Sequence, residues 1–221
     1  MFVQNSNLKN QKISDIVGND YRYAKALDSF GVDFYKYSDY QIEDICKIKG
    51  FKKESLIGYR ISLDESFDLE HDSLKSCPLN LVVEYLKHNH NYFIKNKLPY
   101  IKNLIQNLDT SNINYKFSDD LKFIFPLFYE EFTEHIIEEE TIIFEYINKL
   151  FYADHNSQNL SLLFFSMKEI SLKNIAEEHL NEDSEMRGIR GLTKNYSLNN
   201  IKSLHLKVIF QELKEFDKEL E

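Results

Sequence analysis

Apolar and polar positions alternate along this chain with two different rhythms. Through residues 1–60 the apolar positions form short clusters, Ile13/Ile16/Val17, Tyr23/Ala26/Leu27 and Ile42/Ile45/Cys46, with four of the six glycines (Gly18, Gly31, Gly50, Gly58) among them. Short helices closed by a left-handed glycine produce this pattern. It predicts three or four such helices packed as a small domain over 1–62. Residues 61–76 are polar and weakly periodic, as a linker would be. From Pro78 onward the apolar positions recur by alternate steps of three and four, the seam that a helix buries in a bundle. One stripe runs from Leu79 through Val83, Leu86, His90 and Leu98 to Ile105. A second runs Leu121, Phe125, Phe128, Phe132, His135, Glu139, Ile142, Tyr146. Pro78 suits a first helical turn, Ser118 an N-cap, and Pro99 and Pro126 predict bends. After a loop at Ala153–Asn159, a third helical region over about 160–192 carries Leu172, Ile175, His179, Asp183, Met186 and Ile189. A fourth carries Ile201, Leu204, Val208, Ile209, Leu213 and Phe216. The expected fold is all-α, with an up-down four-helix bundle over 75–221.

The seams are interrupted by polar residues. His90, His135 and His179 fall one to a helix, at intervals of 45 and 44 residues. In an antiparallel bundle, near-equal spacing brings such side chains to one level. Continuing it places a fourth contribution near residue 223, past Glu221, so the fourth helix reads as truncated and the site as incomplete. His135 and Glu139, four apart, share a helix face. A single seam histidine is more often a hydrogen-bonded core residue than a ligand. Three in register with a partnered carboxylate point to a metal, because burying these groups without partners is costly. Imidazole plus carboxylate suits iron, manganese or zinc, and bridging carboxylates in a bundle core suit paired iron or manganese. Of Glu138, Glu139 and Glu140, two read as a solvated face. His71 lies in the linker, His88 on the opposite helix face, His155 in a loop and His205 beside the fourth stripe, all weaker candidates.

Composition narrows the picture. Only 6 glycines and 3 prolines in 221 residues, with 14% aromatics and no tryptophan, favour helix over a turn-rich all-β fold. A formal charge of −9 argues against nucleic acid, whose phosphates need a basic face. Two cysteines, Cys46 and Cys77, cannot form a disulfide framework, so a reducing cytoplasm is the expected location. No apolar run is long enough to span a bilayer, and no signal-peptide pattern opens the chain.

Several stretches together resemble the repair-of-iron-centres (RIC, ScdA-like) family of di-iron proteins. Lys12-Ile-Ser-Asp-Ile-Val-Gly18 followed by Phe30-Gly-Val-Asp-Phe34 looks like that family's small N-terminal domain, and Asp44-Ile-Cys46 fits its next helix. Tyr92–Ile101 looks like the stretch after the first ligand. His135-Ile-Ile-Glu-Glu-Glu-Thr-Ile-Ile-Phe144 resembles its second-helix signature. Glu178-His179 and Ile189-Arg-Gly-Leu-Thr-Lys-Asn-Tyr196 look like its third helix and the following turn. The resemblance implies a hemerythrin-like bundle and a non-haem di-iron centre ligated by His90, His135, Glu139 and His179, with Glu139 bridging. It implies repair of iron–sulfur clusters damaged by nitric oxide or oxidative stress, by iron donation, whether or not the protein is an enzyme. The implied partners are iron, O2 or NO and iron–sulfur client proteins, with a homodimer left open. An O2/NO-sensing regulator and a metal-free helical interaction module are the alternatives. Two features depart from the family. Tyr35-Lys-Tyr-Ser38 stands where it has a Cys-Cys-Gly-Gly run, and its second HxxxE, from helix four, has no counterpart before Glu221.

Overall fold

The computed structural model describes residues 8, 10–63, 74, 76–109, 115–156, 186–199 and 201–220. Their extended regular elements are helical: α1 (Ile13–Asn19), α2 (Arg22–Ser29), α3 (Ile42–Lys49), α4 (Lys53–Ser62), α5 (Leu79–Tyr92), α6 (Leu98–Gln106), α7 (Tyr115–Glu138), α8 (Phe144–Asn156), α9 (Arg187–Thr193) and α10 (Leu204–Leu220). Two π-helical turns, π1 (Phe93–Lys97) and π2 (Glu139–Ile143), join α5 to α6 and α7 to α8. The all-α expectation holds for these residues, whose only β-type pairing is an isolated Lys12–Gln41 bridge. The chain forms two compact units, Met1–Asp68 with Leu198–Glu215, and Leu69–Ser197 with Phe216–Glu221.

In the first unit the predicted apolar clusters become the core. Ile13, Ile16, Leu27, Ile42, Ile45 and Leu56 are all buried, each worth about 1.5–3 kcal/mol relative to exposure. α3 carries Glu43 and Asp44 in its first turn and Lys47 and Lys49 in its last, matching the helix dipole at both ends. It ends on Gly50, whose φ of 75° turns the chain so that the following Phe51 amide also reaches the Cys46 carbonyl, at 3.1 Å. Gly31, with φ 70°, does similar work after α2. Gly18 and Gly58 instead lie inside α1 and α4, so two of the four glycines have the predicted role. The first part of α10 completes this core. Val208, Ile209 and Leu213 have no exposed surface, and the His205 ring stacks on Tyr35 at 4.2 Å, with Phe34 edge-on to it. Tyr21 donates its hydroxyl proton to Glu215. Ile61 and Ser62, expected in the linker, finish α4, and most of the remaining linker lies outside the described residues.

The second unit is built on two long helical runs, α5–π1–α6 and α7–π2–α8. α6 packs on α7 and α5 on α8, so the runs are antiparallel, and α9 also packs on α7. Phe93, Phe128, Phe132 and Phe216 form an aromatic cluster, with Phe216 edge-on to the other three at 5.3–6.0 Å. Edge-to-face contacts of this kind add about 0.5–1.5 kcal/mol to simple burial. Local punctuation differs from expectation in four places. Pro78 is the cap residue rather than the first helical one. The second long helix begins at Tyr115, leaving Ser118 buried inside it rather than capping it. α8 continues to Asn156, through the residues expected to start a loop. Pro99 is accommodated by π1: the Ile94 carbonyl, whose i+5 residue is Pro99 with no N–H to give, accepts the Tyr129 hydroxyl proton at 3.1 Å. Residues 157–185, which hold most of the expected third helix, lie outside the described residues.

Candidate metal centre

π2 sits where the sequence places its polar pair. A π turn adds one residue to the helical circuit and changes which side chains face inward around it. Past Glu139 the seam spacing predicts Ile142 and Tyr146 inside; Tyr146 is buried, yet Ile142 is exposed and Phe144 is buried. The Phe144 amide donates to the Glu139 carbonyl five residues back. The Thr141 hydroxyl takes the Ile137 carbonyl at 2.7 Å, so the widened turn stays hydrogen-bonded.

Three of the four residues expected as ligands meet here. His90, buried on α5, points Nε2 at Glu139 Oε2, 3.3 Å away. His135 points Nε2 at the other oxygen, Oε1, at 3.4 Å. Glu139 therefore spans two imidazoles, one to each oxygen. Charged N–H···O hydrogen bonds are usually about 2.7–2.9 Å. Two donors sharing one metal ion at about 2.1 Å stand roughly 3.0–3.4 Å apart. The observed separations fall in or near that second range. Their pattern leaves two positions, each facing one imidazole nitrogen and one carboxylate oxygen, as a bridging carboxylate between two cations requires. Among the described residues, no group of three or more His, Cys, Asp or Glu side chains gathers on one metal position. By the pattern of close pairs, each position has two donors. His179 lies outside the described residues, so its place relative to these three is not part of the geometry.

The spacing argument missed two neighbours. Glu140 approaches the other nitrogen of His90, Nδ1, at 3.1 Å. Phe144 lies against the His90 ring face, with centroids 5.5 Å apart and planes within 11°. Reading two of the three consecutive glutamates as solvated fits Glu138, which is exposed, but not Glu140. A search of i, i+4 pairs would have linked Glu140 to Phe144, but nothing local indicates that a π turn brings both to His90. Of the weaker candidates, His88 is exposed and His205 belongs to the first unit's aromatic core. Tyr35, where the sequence resemblance would have the first cysteine, is the ring stacked on His205, and its hydroxyl donates to Asp33 at 3.1 Å.

Among the described residues, no helix is long and apolar enough to cross a membrane. No family model matches the chain, and no curated protein matches it.

Proposed function

We propose that the chain is a cytoplasmic, non-haem di-iron protein with a hemerythrin-like four-helix bundle, acting in repair of iron–sulfur clusters damaged by nitric oxide or oxidative stress. The observation that carries the metal reading is the Glu139 carboxylate set between the Nε2 atoms of His90 and His135. The donor set fits iron, since imidazole and carboxylate hold it without the permanence of thiolate. Glu139 would bridge, His90 and His135 would each hold one position, and His179 is the expected further ligand. Bound there, the iron pair supplies redox and Lewis-acid chemistry toward small ligands such as O2 or NO. The repair role rests on the sequence motifs, with iron as the cargo delivered to a client cluster.

Anaerobic loading with ferrous iron, followed by iron analysis and Mössbauer spectroscopy, tests the metal reading. A coupled pair lost in Glu139→Ala is expected; no specific iron uptake would overturn it. Incubating the loaded protein with a nitrosylated cluster enzyme then tests repair. Reactivation supports donation, while loading and NO binding without reactivation would favour the sensing alternative.

A further inference from the structure

His90 has something on both nitrogens and on one face, and only part of this is explained by a bridging Glu139. Glu140 meets Nδ1 at 3.1 Å while Glu139 meets Nε2 at 3.3 Å. A carboxylate accepts and cannot donate, so the Glu140 contact is a hydrogen bond with the proton on Nδ1. A metal on Nε2 would leave Nδ1–H as the only N–H of the ring, and Glu140 is the group placed to accept it. Phe144, four residues after Glu140, closes the ring face at 5.5 Å. Glu140 and Phe144 thus hold the imidazole by its edge and by its plane.

Two adjacent glutamates reach opposite ends of one ring because of the turn they stand on. In an α-helix neighbouring side chains diverge by about 100°, whereas an i→i+5 turn narrows this to roughly 80°. π2 begins at Glu139 and contains Glu140, and its extra residue brings Phe144 inward in place of Ile142. π turns occur often at functional sites.

We propose that Glu140 is a positioning residue, which fixes the ring orientation and the Nδ1–H tautomer of His90 so that Nε2 is offered to metal, and that π2 is what places it. This rests on the metal reading above. It adds a role for a residue that is not itself a ligand, as outer carboxylates on metal-binding histidines commonly have.

The test uses the full chain with Glu140→Ala, Glu140→Gln and the ligand variant Glu139→Ala. Two readouts are taken: ferrous iron affinity by anaerobic titration, and the protonated ring nitrogen of His90 by long-range proton–nitrogen spectra of the protein loaded with zinc as a diamagnetic stand-in. Glu140→Ala is expected to weaken iron binding about 10–100-fold and to shift His90 away from the Nδ1–H form, with the helical circular dichroism kept. Glu140→Gln, whose amide oxygen can still accept from Nδ1, is expected to restore part of both. An unchanged tautomer and affinity in Glu140→Ala would overturn the positioning role. If Glu139→Ala still lost iron in that case, the metal reading would stand. Should wild type and Glu139→Ala bind iron equally weakly, the metal reading falls and the proposal with it.

Discussion

Each unit of the molecule carries a partly buried carboxylate with two nitrogen-bearing partners, and the two solve the same problem differently. In the first, Asp20 takes Arg22 through both its oxygens, at 2.8 and 3.1 Å, and Arg60 at 2.5 Å. In the second, Glu139 takes His90 and His135 at 3.3 and 3.4 Å, and Glu140 takes the far side of His90. Guanidinium is permanently charged and fits carboxylate as a fork, so one aspartate with two arginines carries a charge of +1 and closes on itself. Two glutamates and two imidazoles, by contrast, meet at distances longer than ordinary charged hydrogen bonds. The arginine cluster is complete as a structural clamp. The histidine cluster has the carboxylate-between-imidazoles pattern on which the proposed metal reading rests.

That contrast can be broken at four points. The largest effect is expected from Glu139→Ala, which removes an oxygen from both positions. Iron affinity should fall by more than about 100-fold with little change in thermal midpoint, by titration and calorimetry; an unchanged affinity would make the cluster structural like its counterpart. Asp20→Ala should do the reverse. It strands Arg60, whose side chain is 16% exposed, and should cost about 1–3 kcal/mol in denaturant unfolding without touching iron binding.

Next comes the turn after α9. Lys194, Asn195 and Tyr196 all have φ between 52° and 56°, a left-handed run unusual without glycine. It is held by Tyr196, whose hydroxyl donates to Asp217 at 2.8 Å while Arg190 binds the same carboxylate through Nε and Nη2. Burial first, and then this hydrogen bond, push the Tyr196 hydroxyl far above its ordinary pKa. Tyr196→Phe should cost about 1–2 kcal/mol, measurable as a shift in denaturation midpoint.

The smallest effect concerns pH. Burial, then the nearby Asp33 charge, raise Asp28 above the usual carboxylate value. The folded state therefore binds more protons than the unfolded state between the two pKa values, and stability falls as pH rises through that window. Asp28→Asn should remove the penalty, raising the thermal midpoint at neutral pH with the gain vanishing below pH 3.8. A gain of equal size at all pH values would contradict this.

Much of the fold was legible because helical periodicity is a local property. The clusters at Ile13, Leu27 and Ile45 became core, and the stripe through Phe125, Phe128 and Phe132 lies inside. The meeting of His90 with Glu139 was also readable, since antiparallel helices with evenly spaced histidines bring them level. Glu140 was not readable. On uniform α spacing it lies about 100° from Glu139 and looks solvated, and only the π turn overrides that.

The fourth stripe shows the limit most plainly. Its period marked Val208, Ile209, Leu213 and Phe216 as one buried face, and all four have no exposed surface. The first three belong with the N-terminal helices, and Phe216 with the aromatic cluster of the second unit. The sequence alone determined that these segments are helices, most of the face each buries away from the widened turns, and that His135 and Glu139 share a face, because those follow from 3.6-residue geometry. Only the tertiary structure decided what each face packs against and where the helices widen. Burial rewards any apolar partner alike, and a π turn such as π1 also draws on a contact across the hairpin, Tyr129 with Ile94.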